Sequence, residues 1–358
     1  MIFLDNASTT RPLDCAVLEF GRILRDAPYN PSSSHMGGQI ARSELERARE
    51  KIASCINADA DEIYFTSGST ESCNIAMNTL TTECSNIIIS PYEHHAVHDN
   101  FDSAILTRKL LSRQNIPASF QNGIAQMLVC NETGEIFRVP NESENTLVFS
   151  DLTAAVGHTN INVKELGISY GAFGAHKFGG VRGAGVLYVK GGSPVCPLIQ
   201  GGGQERGVRA GTENVPAICA MAVALEWHTA RLEQSQAYFS MLRDTMLSEL
   251  DDSGVSYIVN SPLDRSAPHI LNVSFPCVEN TALSLYLSSE GVYVSPGAAC
   301  SNGLNEPSHV LMSMFGDEDR ARSAIRFSFS HETNVKQICD AVEKVAESVR
   351  TLRGLSAE

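Results

Sequence analysis

Some residues in this sequence have types and spacing that could do chemistry. Cys300 lies in "YVSPGAACSNGLNEPSHV" (293–310), a thiol among glycine, serine, proline and asparagine. Such residues neither pack into a core nor hold a regular helix, so the stretch reads as a loop. A structural cysteine sits in an apolar setting, whereas a reactive one needs access and surroundings that favour the thiolate. Lys177 lies in "AFGAHKFGGVRGAGVLYV" (172–189), where a strand ends on a His-Lys pair and a glycine-rich turn leads into another strand. A lysine at a strand end is ordinarily a solvated charge. Here the glycines let a ligand approach the backbone, and a desolvated lysine can lose its proton and form a Schiff base.

Upstream, "LVFSDLTAAVGH" (147–158) places Asp151 directly after an apolar strand. That carboxylate could cap the next helix. Paired with a Schiff-base lysine, it could instead keep the ring nitrogen of pyridoxal phosphate protonated, which is what makes the ring an electron sink. "FTSGSTESCN" (65–74) is a strand, a Gly/Ser/Thr turn and a helix starting near Thr70, so Ser69 and Thr70 offer backbone N–H groups and hydroxyls to a phosphate. The same pattern also serves as an ordinary helix cap. "YEHHAVHD" (92–99) offers His94, His95 and His98; no H-E-x-x-H and no cysteine pair accompanies them, so a ring-stacking or proton-transferring histidine is expected rather than zinc, and no metal site is expected.

The elements that must position these groups follow from pattern. The runs "EIYFTSG", "NIIISP", "MLVCNETG", "NTLVFSD", "ISYGAFGAH" and "GAGVLYVK" alternate with helical stretches, the mark of an α/β domain with a largely parallel sheet. Such sheets bind ligands at the carboxyl ends of their strands. One long helical stretch, roughly 216–251, connects to a smaller α+β region with a terminal helix from about Asn334. The 358 residues suit two substantial domains, and 43% hydrophobic with 19% charged residues is globular. A formal charge of −14 argues against a nucleic-acid binder. The start "MIFLDNASTT" lacks a signal-peptide pattern, "AICAMAVALEW" (217–227) is too short to span a bilayer, and ten scattered cysteines without a C-x-x-C pair suit a reducing cytoplasm.

Taken in order, "DNASTT" (5–10), "YNPSSSH" (29–35), "TSGSTES", "EHHAV", "NETG" (131–134), Asp151, the His-Lys pair, "GGGQERGVRAGTENV" (201–215), "GAACSNGLNEPSHVL" and "IRFSFS" (325–330) resemble the pyridoxal-phosphate-dependent cysteine desulfurases of the NifS/IscS type, in the class V aminotransferase family. The resemblance covers nearly the whole chain. It implies an α/β protein of PLP-dependent fold type I. A large domain (11–238) would carry a mostly parallel seven-stranded sheet, and a smaller α+β domain (1–10 and 239–358) would carry the cysteine loop.

The activity implied is conversion of L-cysteine to L-alanine with the sulfur left on Cys300 as a persulfide. A mobile loop can carry that thiol to the cofactor and then to an acceptor. The spacing from Cys300 to Arg326 resembles the longer-loop subgroup, which hands sulfur to protein acceptors. The resemblance assigns Lys177 to the Schiff base and the α-proton. It places Asp151 at the pyridinium and His94 over the ring as a possible acid or base. Ser69, Thr70 and His176 go to the phosphate, with Thr212 reaching in from a second copy of a homodimer. Arg326 takes the substrate carboxylate as a bidentate fork, which lysine cannot reproduce. Asn131 and Asn30 orient the substrate, Asn131 also lying near the cofactor.

Two positions depart from the family pattern: Ala154 stands where a glutamine faces the cofactor's phenolic oxygen, and Gly174 where a serine binds phosphate. They keep open a lyase of the same fold acting on selenocysteine or another cysteine derivative. A non-catalytic sulfur-relay scaffold would be expected to lose Lys177, Cys300 or Arg326, and all are present. The acceptor pathway, iron–sulfur cluster assembly or thiolation, is not written in the residues.

Overall fold

The middle of the central sheet is built of strands whose side chains are nearly all buried. Thr146–Asp151, Tyr170–Gly174 and Gly185–Val189 are buried at every position but Thr146 rather than at alternate ones, as strands covered on both faces require. The computed structural model describes residues 1–99, 120–296 and 306–355, so Cys300 lies outside the described residues. The chain divides into two compact units, one of Arg11–Leu128 and Phe137–Arg231, the other of Met1–Thr10, Val129–Ile136 and Leu232–Glu358.

In the first unit the strands are β2 (Ile63–Thr66), β3 (Cys84–Ile89), β4 (Phe120–Ala125), β5 (Thr146–Asp151), β6 (Tyr170–Gly174) and β7 (Gly185–Val189). They lie in the order β2-β7-β6-β5-β4-β3. Neighbours from β3 to β6 are parallel, and β7 is antiparallel to both β6 and β2. The sheet is thus mostly parallel, with six strands among the described residues where the resemblance implies seven. "MLVCNETG" is not a strand of this sheet: only Val129 pairs, in an isolated bridge to Ile136. The helices of this unit are α1 (Asp14–Asp26), α2 (Met36–Ile56), α3 (Ser69–Glu83), α4 (Val163–Leu166) and α5 (Val215–Thr229). The helical pattern after "HHAV" runs beyond the described residues from position 100.

The long helical stretch is two helices, α5 and α6 (Leu232–Ser253), not one. α5 is buried nearly all round, whereas α6 buries one stripe, Phe239, Leu242, Met246 and Leu250. At the break Arg231 turns back over Trp227, its guanidinium 4.7 Å from the ring centroid and its Nη1 donating to the Trp227 carbonyl. A cation on the last carbonyls ends a helix that no glycine or proline interrupts.

The second unit holds β1 (Ile2–Phe3), β8 (Ile258–Val259), β9 (Ile270–Ser274), β10 (Val292–Tyr293) and β11 (Ala324–Ser328), with α6, α7 (Asn280–Ser289), α8 (His309–Phe315), α9 (Glu318–Arg322) and α10 (Val335–Leu355). β9 lies between β11 and β8, and β1 pairs with β10. Phe275, Phe327, Phe329, Leu242, Met246 and Val345 belong to its continuous buried core. The "NETG" turn joins this unit because Gly134 accepts from Ala267 N and Ile136 N donates to Arg265 O. Gly134 has φ +74, and a Cβ there would meet Ala267 O at 3.0 Å, so the turn needs its glycine. No helix among the described residues is long and apolar enough to cross a membrane.

Candidate functional site

Because β2, β4, β5 and β6 run the same way, their carboxyl ends share one edge of the sheet, and the chemistry-bearing residues of the first unit gather there. Thr66 and Gly174 both pair with Gly185 at that edge. A Cβ on Gly185 would lie 2.5 Å from the Gly68 carbonyl carbon, which explains the glycine after the lysine turn: the strand end is packed against the backbone of the turn before α3. Gly68 caps α3, so the first N–H groups of that helix, including those of Ser69 and Thr70, have no intrahelical acceptor. A Cβ on Gly68 would meet open space. The turn is braced by Glu71, which accepts from Ser67 N (2.9 Å) and from Arg209 Nε (2.7 Å). Burial works to raise its carboxyl, but the hydrogen bonds from Arg209 and Ser67 outweigh it and hold the group below its ordinary range.

Asp151 ends β5 and is 7% exposed. Its Oδ1 accepts Thr153 N at 2.8 Å, and its Oδ2 faces the Cys73 thiol at 3.9 Å. Glu93, wholly buried beside it, accepts the Met127 N–H. Burial, and then the Asp151 charge, push Glu93 up to about 8, so Glu93 carries its proton at neutral pH. Burial, with the same carboxylates, lifts the Cys73 thiol far above its ordinary range, so it stays a protonated donor.

Lys177 closes a short 3-10 turn, Ala175–Lys177, directly after β6, and is half-buried. Its carbonyl lies 3.3 Å from Nε2 of the buried His158, which burial holds neutral by pushing it down to about 4. Burial, then the Lys177 and Arg182 charges, likewise hold His176 down at about 4. His94 accepts the Ala96 N–H on Nδ1 at 3.0 Å, which leaves its ring proton on Nε2. Gly174 fits tightly: a Cβ there would sit 3.1 Å from Ser69 N. The Thr153 hydroxyl points to the Ala172 carbonyl at 3.5 Å, and Ala154 is half-buried.

Thr212 and Asn30 are exposed on this unit. The segments that carry them line a common cavity of about 540 Å³, through Pro31, Gln204 and Glu213 among others. Glu205 and Arg206 there have φ of 47° and 56°, a strained conformation for residues with side chains. A buried pair holds it: Arg49 meets both Glu205 oxygens at 2.8 Å, and Glu205 also accepts Phe65 N. Glu19, Glu44 and Cys219 cluster closely enough to suggest a metal, but Arg22 bonds both carboxylates.

The second unit places Arg326 in β11, 2% exposed. Nη1 donates to the Asn131 carbonyl (2.8 Å), and Nη2 donates to Asp5 Oδ1 (2.9 Å) and Ser8 Oγ (2.6 Å). Its buried Nε has no partner among the described residues. The expected fork is therefore partly engaged by an anion of the chain itself. Sequence reasoning missed Glu93, Cys73, Asp5 and Ser8 as participants. Asp5 and Ser8 stand inside "DNASTT", but nothing local in that stretch signals an arginine more than three hundred positions away.

The donors present suit pyridoxal phosphate: free helix N–H groups over an open turn, a buried carboxylate at the next strand end and a lysine between them can hold its phosphate, ring nitrogen and carbonyl carbon. The family model described as aminotransferase class-V matches residues 2–107 and 119–340. A protein of Dictyoglomus turgidum named cysteine desulfurase IscS is 35% identical, covering 98% of this chain and 96% of that one. A solved NifS-like protein superposes with TM-score 0.87 at 30% identity, covering 98% of this chain and 99% of its own. The structure titled SspA in complex with cysteine has TM-score 0.76 at 26% identity, covering 92% of this chain and 99% of its own. With that reach and those residues in place, the chain belongs to the class V aminotransferase family, among its cysteine desulfurases of the NifS/IscS type.

Proposed function

We propose that this protein is a pyridoxal-phosphate-dependent cysteine desulfurase that converts L-cysteine to L-alanine and leaves the sulfur on Cys300 as a persulfide. The observation that carries the reading is the single sheet edge on which Ser69, Thr70, Asp151 and Lys177 stand. The relative solved with cysteine supports the substrate.

The bound cofactor supplies the electron sink that lets the substrate's carbon–sulfur bond break. Ser69 and Thr70 hold its phosphate at the α3 N-terminus, with neutral His176 as a further donor. Asp151 keeps its ring nitrogen protonated, and the proton on Glu93 spares the site a second negative charge. Lys177 Nζ would be the amine that holds the cofactor covalently and the base that moves the substrate's α-proton. His94, with its proton on Nε2, would stack on the ring and serve as acid or base. Arg326, steadied by Asp5, Ser8 and the Asn131 carbonyl, meets the substrate carboxylate, and Asn131 and Asn30 orient the rest. The Cys300 thiolate takes the substrate sulfur: one carbon–sulfur bond breaks, one sulfur–sulfur bond forms, and the displaced carbon takes a proton to become alanine.

The same proposal has a cytoplasmic homodimer in which Thr212 serves the partner's phosphate, and a protein acceptor for the sulfur in iron–sulfur cluster assembly or thiolation. The test is L-cysteine turnover by the purified holoprotein. Alanine formed in equal amount to transferred sulfur is expected; pyruvate and ammonia, or alanine only from a selenocysteine substrate, overturns the assignment.

A further inference from the structure

Cys300 is bounded in sequence by two described residues, Ser295 and Ser308, and both are tied to Arg326. Ser295 and Arg326 exchange backbone hydrogen bonds, N to O at 3.2 Å and 2.8 Å. On the other side the link is a side chain: Ser308 Oγ donates to Glu132 Oε2 at 2.6 Å, within the charge-assisted range. The same hydroxyl accepts Leu311 N at 3.1 Å and so caps α8. Glu132 is held in turn, because its carbonyl accepts from Asn272 Nδ2 at 3.1 Å, and Asn272 is the cross-strand partner of Arg326. The preceding carbonyl, of Asn131, is the acceptor of Arg326 Nη1. Glu132 and Ser308 are each 3% exposed. Burying a carboxylate is costly, and packing alone does not call for one.

Resting on the function proposed above, we infer that Glu132 is a positioning residue for sulfur transfer: through Ser308 it fixes the exit of the Cys300 segment in register with the arginine that takes the substrate carboxylate. The step it serves is attack of the Cys300 thiolate, not substrate binding.

The holoprotein is mixed with L-cysteine, and two signals are followed, the change in cofactor absorbance on binding and the appearance of persulfide on the Cys300 peptide. Glu132→Ala and Ser308→Ala should bind with unchanged amplitude and concentration dependence while persulfide forms about tenfold more slowly. The double variant should be no slower than either single one. Ser308→Thr, which keeps the hydroxyl, should restore the rate, and amide exchange in 309–315 should rise in the alanine variants alone. Wild-type rates in the alanine variants, or equal loss of binding and transfer, overturns the inference while leaving the function standing. Absence of persulfide from the wild type overturns both.

Discussion

The two units of this protein hold their chemistry in opposite ways. In the sheet-bearing unit each group is placed by its own neighbourhood: Asp151 by the end of β5 and the Thr153 N–H, Ser69 and Thr70 by the start of α3, Lys177 by one short turn after β6. In the other unit Arg326 is placed by residues 321, 318 and 195 positions away, Asp5, Ser8 and Asn131. Local placement follows from strand direction and helix ends, and tolerates change elsewhere. Placement by long-range contacts concentrates the burden on a few buried bonds, so a single substitution can move the group.

That contrast is sharpest where each unit loses its central residue. Lys177→Ala should leave a folded protein that lacks the absorbance band of lysine-bound cofactor and has no activity; a band that persists means another lysine holds the cofactor. Arg326→Lys should lower kcat/KM by about a hundredfold, because a point charge replaces a fork whose donors are already shared out. A change within twofold would break the claim that this unit relies on few contacts.

Asp5→Asn separates holding from competing. It keeps an oxygen for Arg326 and Ser8 but removes the charge, so KM for L-cysteine should fall about threefold while thermal unfolding shows a loss of roughly 1 kcal/mol. A raised KM would mean Asp5 orients Arg326 more than it competes with substrate.

Glu93 tests the local arrangement by pH. Its folded pKa of about 8 lies above the ordinary 4.5, so the folded state binds the extra proton. The stability it confers is present below pH 4.5 and is lost as pH rises through about 8. Glu93→Gln, which mimics the protonated form, should flatten the fall in Tm across that window. A parallel fall in both proteins would mean that Glu93 ionises freely. The smallest effect is expected at Gly174. A serine there presses on Ser69 N, so Gly174→Ser should not tighten cofactor retention in dialysis, and a clear gain would show that the α3 turn yields.

How much of this was legible in the sequence follows the same division. Asp151, Lys177 and the 65–74 turn could be read because an apolar run ending in a polar residue marks a strand end, where such sheets keep their ligands. The mostly parallel sheet was legible for the same reason. The break at Ala230–Arg231 was not, since it rests on Arg231 stacking on Trp227 rather than on a helix breaker. Glu93 was not legible either, because a glutamate beside histidines reads as a solvated charge until its burial is known. The Asp5–Arg326 and Glu132–Ser308 bonds join distant stretches, and no local pattern encodes them.

The central claim is that one of ten cysteines, Cys300, takes the sulfur. Its most direct measurement is peptide mass spectrometry of the holoprotein after a single exposure to L-cysteine, run beside Cys300→Ser. A persulfide confined to the Cys300 peptide is expected, with a Cys300→Ser protein that still shifts the cofactor spectrum on L-cysteine but forms no alanine above background. A persulfide on Cys277 or Cys130 instead, or full turnover by Cys300→Ser, would contradict the account.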